Sequence, residues 1–510
     1  MTDGNLFATI EAAAPDDAKV LAELPGGVGV TYAETFALAA RFANLLEASG
    51  IEPGDRVAAQ TEKSWPALVL YLGCLRAGAV YLPLNPAYTA AEVGYFLRDA
   101  EPGLFVCSAE GHAALAPVAA AAGVARVETM GRDGAGSLLA AAELEAVERT
   151  DAARTGSDLA AILYTSGTTG RSKGAMLSHD NLRSNAEALV ACWRFTREDV
   201  LIHALPIFHT HGLFVATNVV LLAGASMVFL PAFDPALVLA AMSRATTLMG
   251  VPTFYTRLLQ QPGLNESAAA GMRLFVSGSA PLLAETHQEW VERTGHAILE
   301  RYGMTETNMN TSNPYDGERR AGTVGFPLPG VEVRVADAET GRLVARDEVG
   351  VLEVKGPNVF SGYWRQPDKT AEDLRPDGYF VTGDLARIDG DGYVHIVGRA
   401  KDLIITGGLN VYPKEIEEAI DSLSGVAESA VFGVPHPDFG EAVVAAVVPR
   451  SGTTVDEHQL VAGVLAGLAG NLARFKQPKR VFVVDALPRN AMAKVQKNAL
   501  RDQFGSTFAG

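Results

Sequence analysis

The residues best suited to chemistry fall in one short stretch, residues 164–174, YTSGTTGRSKG. Glycine there lets backbone N–H groups approach phosphate oxygens closely. The hydroxyls of Thr165, Ser166, Thr168 and Thr169 add donors, and Arg171 and Lys173 bring positive charge. The stretch is not a Walker A loop, which needs Gly immediately before its Lys and Ser or Thr after it. Here Ser172 and Gly174 flank Lys173. Several ionisable groups lie downstream: Arg301 and Glu306 in RYGMTET (301–307), Asp384 in TGD, Arg399 and Lys401 in GRAKD, and Lys494 near the C-terminus. Taken singly, Glu306 and Asp384 read as solvated carboxylates and Lys401 as a surface lysine. His209 and His211 in FHTHG are two residues apart in a Gly-flanked loop with no third ligand suggested nearby, a weak metal pattern.

The elements that must carry these groups follow from periodicity. Residues 33–49 repeat apolar side chains at helical spacing, and 56–60 (RVAAQ) and 79–84 (AVYLPL) predict strands, the second stopped by Pro83 and Pro86. Residues 113–146 are alanine-rich and predict exposed helix with a break at 131–136. A strand over 272–276 runs into the turn SGSAPL (277–282). Strand-like and helix-like segments alternate from 158 to about 330, which predicts a layered α/β architecture. From about 331 the pattern changes to short strands (331–335, 351–354, 393–397), a β-rich subdomain. Beyond residue 398 come a helix (413–423), strands (429–434, 442–448), a helix (455–473) and a strand (481–484), an α+β domain. The expected organisation is thus α/β: a large N-terminal domain over 1–398, with its β-rich subdomain at about 331–398, and a small C-terminal domain over 399–510.

Composition narrows the class. The 510 residues are 48% hydrophobic and 20% charged, ordinary for a globular protein, and the net charge of -17 argues against nucleic acid as partner. Three cysteines, Cys74, Cys107 and Cys192, lack metal-ligand spacing and are too few for a disulfide framework, so reduced thiols in a cytoplasmic protein are expected. The start MTDGNLF has no basic region followed by an apolar one. The most apolar stretch, 215–233, is interrupted by Asn218, Ser226 and Pro231, which predicts buried helix and strand rather than a membrane span. Composition carries no signal for oligomeric state.

The phosphate-loop-like stretch resembles the signature of the adenylate-forming superfamily of acyl-CoA synthetases, peptide-synthetase adenylation domains and luciferases. Further resemblances follow in family order: LPIFHTHG (205–212), SGSAPL (277–282), RYGMTET (301–307), GYFVTGDLARIDGDGY (378–393), GRAKDLIITGG (398–408) and PRNAMAKVQK (488–497). The resemblance implies ATP, Mg²⁺ and coenzyme A as reactants. Thr165, Ser166, Gly167, Thr168, Thr169, Gly170, Arg171 and Lys173 would embrace the phosphates. Gly278, Ser279, Ala280 and Pro281 would line the adenine slot, with Tyr302 and Gly303 beside it, and Thr305 would reach the α-phosphate. Glu306 would hold Mg²⁺, which takes few protein ligands when phosphates supply the rest. Asp384 would accept the ribose hydroxyls, with Arg399 near ribose or phosphate. Lys494 would stabilise charge during adenylation; the residue before it, usually Gly in the family, is Ala493 here. Lys401 would be the hinge of a mobile C-terminal domain, after which Gly407 and Gly408 would line the pantetheine channel. The basic residues Arg474, Lys476, Lys479 and Arg480 could meet CoA phosphates or form a solvated face.

Within the superfamily, residues 300–330 (ERYGMTETNMNTSNPYDGERRAGTVGFPLPG) resemble malonyl-CoA synthetases. A dicarboxylic acid needs a cation where water is excluded, and Arg301 can hold a distal carboxylate through two parallel hydrogen bonds. By that resemblance Ser277, His209, Thr210 and Met309 would wall a short pocket, and Arg171, Lys173 and His209 would take part in catalysis. Methylmalonate, oxalate or acetate ligation, or the charging of a carrier protein, are the alternatives.

Overall fold

Alternating apolar runs and amphipathic helices build two mostly parallel sheets in the first of the chain's two units, Met1–Val333 with Val354–Phe380. The computed structural model describes residues 4–165, 172–338, 340–406, 409–450, 456–469, 472–490 and 494–508. One sheet runs in the order Phe326–Pro327, Asn308–Ser312, Leu299–Met304, Leu274–Ser277, Thr247–Gly250, Val200–His203, Ser226–Phe229, Val20–Leu24, Val28–Thr31. Its inner neighbours are parallel and its edges antiparallel. The other sheet runs Arg126–Thr129, Leu104–Cys107, Arg56–Gln60, Val80–Pro83, Leu159–Thr165, Lys173–Ser178, parallel except for the last pair. Parallel strands require crossover segments that cover the sheet faces, which is why the strands read as unbroken apolar runs. In such sheets ligands meet the carboxyl ends of the strands. Val200–His203, Leu274–Ser277 and Leu299–Met304 each deliver one of the sequence motifs at that end.

The strand at 56–60 and the helix Tyr32–Ala48 lie where periodicity predicts. The apolar stretch 215–233 holds the helix Thr217–Leu222 and the strand Ser226–Phe229. The stretch 113–146 differs from expectation. It folds as the helix His112–Ala121, the strand Arg126–Thr129 and the short helix Ser137–Ala142. Leu115, Ala119 and Val124 belong to a core and Val127 packs on it, so sheet pairing and burial override the helical preference of the surrounding alanines.

The second unit comprises Arg334–Glu353 and Val381–Gly510. It contains a four-stranded sheet ordered Glu332–Ala336, Gly350–Lys355, Phe380–Ile388, Val394–Arg399. The strand Phe380–Ile388 lies inside the motif at 378–393. Five further strands form a second sheet, in which Val426–His436 and Gly440–Pro449 are antiparallel and Arg480–Val483 runs parallel to the latter. Their continuous apolar sequences are explained by burial on both faces. Val431 and Val443 enter a core with Ile416, Ile420 and Leu460, while their neighbours Phe432 and Val444 enter another with Leu487 and Leu500. Among the described residues no helix is long and apolar enough to cross a membrane.

Candidate active site

Ser277, Gly278 and Ser279 follow directly from one parallel strand, and Arg301 sits in the next one. Arg301 is only 3% exposed. Its guanidinium lies flat against Gly278, where an added Cβ would stand 2.4 Å from Cζ. Any residue but glycine there would force the cation aside. Nε and Nη2 of Arg301 have no hydrogen-bond partner among the described residues, and the buried Ser277 hydroxyl likewise has none. Burial, opposed weakly by Tyr255, pulls the guanidinium down to about 9. It stays charged at neutral pH, as arginine does in proteins.

His211 lies within electrostatic reach of the same cation. It opens the π-helical turn His211–Ala216, and its Nδ1 is 3.3 Å from the Ser279 hydroxyl. Burial first, then Arg301, His209 and His203, hold its imidazole well below the ordinary histidine range, so it is neutral. Its backbone N–H donates to Nδ1 of His209 at 3.3 Å. A neutral His209 therefore carries its proton on Nε2. Weighed from sequence only as a poor metal ligand, His211 belongs to the polar surround of Arg301. Ser279 has a left-handed backbone (φ 69), half-buried, followed by exposed Ala280 and Pro281.

A second cluster gathers on Glu306. This buried carboxylate accepts a hydrogen bond from the Tyr363 hydroxyl at 3.1 Å. Lys173, also buried, holds Nζ 4.8 Å from the Tyr363 ring centroid. Burial lowers the Lys173 pKa, with Lys369 adding to the effect and Asp373, Glu306 and Glu372 opposing it. Lys173 pairs with half-buried Thr165 across the edge of the six-stranded sheet, and the Trp364 N–H donates to the Gly174 carbonyl at 2.8 Å. The predicted phosphate ligands Ser166, Gly167, Thr168, Thr169, Gly170 and Arg171 lie outside the described residues. Among the described residues no trio of His, Cys, Asp or Glu could hold a metal. One buried carboxylate fits a magnesium ion whose other ligands come from phosphate and water.

Between these clusters runs the strand Asn308–Ser312, buried throughout. Its register shifts opposite Tyr302 and Gly303, and a Cβ on Gly303 would fall 1.8 Å from the Asn308 carbonyl oxygen, so the bulge admits only glycine. Tyr302, Met304 and Thr305 are half-buried. The Thr210 hydroxyl donates to Asn308 Oδ1 at 2.7 Å, and Met309 is buried against Gly303. Asn185 and Asn358, which motif reading missed, fasten this segment through their side-chain amides. No local signal marks them, because their partners are distant in sequence.

The second unit carries the remaining candidates. Asp384 is buried and accepts from Arg399 Nε at 2.7 Å, and its own N–H donates to the Thr382 hydroxyl at 3.0 Å. Lys401 is exposed in the short 3₁₀ turn Ala400–Asp402, where Asp402 pairs with Arg501 at 3.1 Å. The Lys494 backbone N–H donates to Asn490 Oδ1 at 3.0 Å and its carbonyl accepts from the Asn490 N–H at 2.9 Å. Arg489 pairs with Glu428, and Lys497 pairs with Glu417 at 2.6 Å. In the basic cluster, Lys476 pairs with Glu415 at 2.6 Å and Lys479 lies 4.9 Å from the Phe439 ring centroid, while Arg474 and Arg480 are exposed. Gly407, Gly408 and Ala493 lie outside the described residues.

Known proteins resemble this arrangement along its whole length. Residues 8–364 match the model of the AMP-binding enzyme family, and residues 415–494 match that of the AMP-binding enzyme C-terminal domain. The crystal structure of ATP-bound MatB from Rhodopseudomonas palustris superposes with a TM-score of 0.96 at 60% identity, covering 99% of this chain and 100% of that one. A feruloyl-CoA synthase from Amycolatopsis is 37% identical over 484 residues, 94% of this chain and 95% of the relative. The malonate–CoA ligase of Arabidopsis thaliana is 35% identical over 484 residues, 89% of this chain and 79% of the relative. The chain belongs to the AMP-binding enzymes, the adenylate-forming superfamily.

Proposed function

We propose that this adenylate-forming CoA ligase makes malonyl-CoA from malonate, ATP and CoA. One observation carries the choice of acid: Arg301 is a buried cation, backed by a glycine, with two nitrogens that have no hydrogen-bond partner among the described residues. Leaving such a charge unpaired is costly, and a carboxylate is its natural counterpart. An acid whose reacting carboxylate must face phosphorus can satisfy Arg301 only with a second carboxylate. The resemblance to a malonate–CoA ligase supports a short diacid. The feruloyl-CoA synthase shows that relatives of similar identity are named for a bulky monoacid, so identity alone does not choose.

In this reading the malonate carboxylate attacks the α-phosphorus of ATP, giving malonyl-AMP and pyrophosphate. The CoA thiol then attacks the mixed anhydride, giving malonyl-CoA and AMP. Magnesium held by Glu306 and the phosphates would neutralise charge on the leaving pyrophosphate. Lys173 and the 165–171 loop hold the phosphates, and Gly278, Ser279, Ala280 and Pro281 line the adenine slot with Tyr302 and Gly303 at its edge. Thr305 meets the α-phosphate, and Asp384, oriented by Arg399, takes the ribose hydroxyls. Ser277 and His209 face the acid, His209 donating from Nε2. Lys494 stabilises charge in the first half-reaction. Lys401 is the hinge between large and small domains for the second, in which Gly407 and Gly408 border the thiol channel. AMP formation should be measured with ATP, Mg²⁺ and CoA across acetate, oxalate, malonate, methylmalonate, succinate and ferulate. Malonate giving the highest kcat/KM is expected, and preference for ferulate or acetate would overturn the reading.

A further inference from the structure

Glu306 and Lys173, the charges assigned above to magnesium and phosphate, meet on one residue that none of the sequence motifs contains. The Tyr363 hydroxyl donates to Glu306 Oε1 at 3.1 Å, and Lys173 Nζ stands 4.8 Å from the centroid of the same ring. A phenol keeps its proton at neutral pH, so toward a carboxylate it is the donor. Tyr363 is 5% exposed, so water competes little for this contact. Asp373 borders the same hydroxyl, but its charge is met by Lys369 at 2.8 Å.

The backbone on either side of Tyr363 holds that hydroxyl in place. The Ser361 N–H donates to the Met176 carbonyl at 2.9 Å, the Met176 N–H to the Gly362 carbonyl at 2.9 Å, and the Trp364 N–H to the Gly174 carbonyl at 2.8 Å. Residues 361–364 are thereby paired with the strand Lys173–Ser178, which begins at the end of the phosphate-loop-like stretch. The Tyr363 N–H donates to the Thr370 hydroxyl at 2.9 Å, and the ring meets Phe360 edge-on with centroids 4.8 Å apart. The Phe360 N–H in turn donates to the Glu306 carbonyl at 2.8 Å. One short segment therefore grips Glu306 by backbone and by side chain while paired to the strand that bears Lys173.

A glutamate side chain loses substantial rotamer freedom when it is fixed, and magnesium demands near-octahedral coordination from the few protein oxygens it takes. A carboxylate already hydrogen-bonded at one oxygen meets that demand with less ordering left to do. From this we infer that Tyr363 is a positioning residue for the magnesium-binding carboxylate. Its hydroxyl fixes Glu306 through Oε1, and its ring seats Lys173 beside it. This rests on the reading of Glu306 as the magnesium ligand.

The test is Tyr363→Phe, which removes the hydroxyl but keeps the ring under Lys173 and against Phe360. Calorimetry on the full chain measures Kd for ATP with saturating Mg²⁺ and Kd for AMP, and a metal titration of AMP formation gives the half-activating free Mg²⁺. Loss of a group that orients a metal ligand commonly costs about 10–100-fold in metal affinity. Kd for Mg-ATP and the half-activating Mg²⁺ should each rise about tenfold or more, while Kd for AMP stays within about twofold. Calorimetric stoichiometry counts the folded sites, so a smaller folded fraction does not imitate this result. Mg-ATP binding unchanged within about twofold, or Mg-ATP and AMP weakened equally, would overturn the inference and leave Tyr363 a packing residue. Glu306→Gln, run in parallel, should raise Kd for Mg-ATP at least as far. A change in Glu306→Gln without one in Tyr363→Phe strikes the inference alone. No change in Glu306→Gln strikes the magnesium assignment, and the inference with it.

Discussion

Replacing Arg301 with methionine should make the empty enzyme more stable and a worse catalyst, an unusual pairing that follows from burying a cation with no carboxylate partner among the described residues. The guanidinium is pulled down to about 9 by burial. At about 1.4 kcal/mol per pH unit between folded and unfolded values, the charge costs the empty fold roughly 4–5 kcal/mol at pH 7. Methionine fills similar volume without that cost, but loses some packing on Gly278, so a net gain of about 1–4 kcal/mol is expected. Truncating one partner of a buried charge pair costs about 2–5 kcal/mol, so kcat/KM for malonate should fall about 30- to 5000-fold. Propionate, of the same chain length with one carboxylate, should be unaffected or improved. Thermal unfolding without ligands and AMP formation with each acid measure the two effects. A lower Tm would mean that a counter-charge already satisfies Arg301 in the free enzyme. Equal loss on malonate and propionate would mean that Arg301 supports the fold rather than the acid.

Three further outcomes are expected. Gly278→Ala places a Cβ 2.4 Å from the Arg301 guanidinium carbon, and a displacement near 1 Å commonly costs about 10²-fold. The malonate-to-propionate ratio of kcat/KM should therefore drop, and parallel loss on both acids would refute the contact. Lys494→Ala should slow acyl-adenylate formation by about 10²–10³-fold and leave thioester formation from supplied malonyl-AMP largely intact. Equal loss in both half-reactions would contradict that division of labour. Burial, then Glu417 and Glu428, push the Asp421 carboxyl up to about 7. The unfolded carboxyl ionises near pH 4, so the folded state holds the extra proton in between, and stability falls as pH rises from about 4 to about 7. Asp421→Asn removes this loss, gaining up to roughly 4 kcal/mol over wild type at pH 8 but much less at pH 5, as read by urea unfolding. A difference independent of pH would refute it.

Much of the candidate site was legible because its residues lie in contiguous motifs whose chemistry is local. Arg301 announced itself as a cation beside YGMTET, whereas Asp384 and Arg399, read from sequence only as nucleotide contacts, also form an ion pair across adjacent strands. What stayed hidden depends on long-range partners. Asn185 acts on a residue 124 positions away, and Tyr363 reaches Glu306 across 57. Neither leaves a periodic or compositional trace near itself. The strand Arg126–Thr129 was masked by alanine-rich flanks, since only pairing with Leu104–Cys107 makes that short run extended. His211 looked like half of a poor metal pair, and burial beside Arg301 gives it another setting.

The central claim is that a second carboxylate on the acid is recognised inside the pocket. The most direct test is acid-dependent ATP–pyrophosphate exchange by the unmodified enzyme, malonate against propionate, without CoA. These acids match in length and differ in the group that Arg301 would bind. Malonate should exceed propionate in kcat/KM by about 10²-fold or more, the scale of one buried charge pair. Propionate exchanging as well as malonate would contradict the account, leaving an adenylating enzyme whose buried arginine serves some other end.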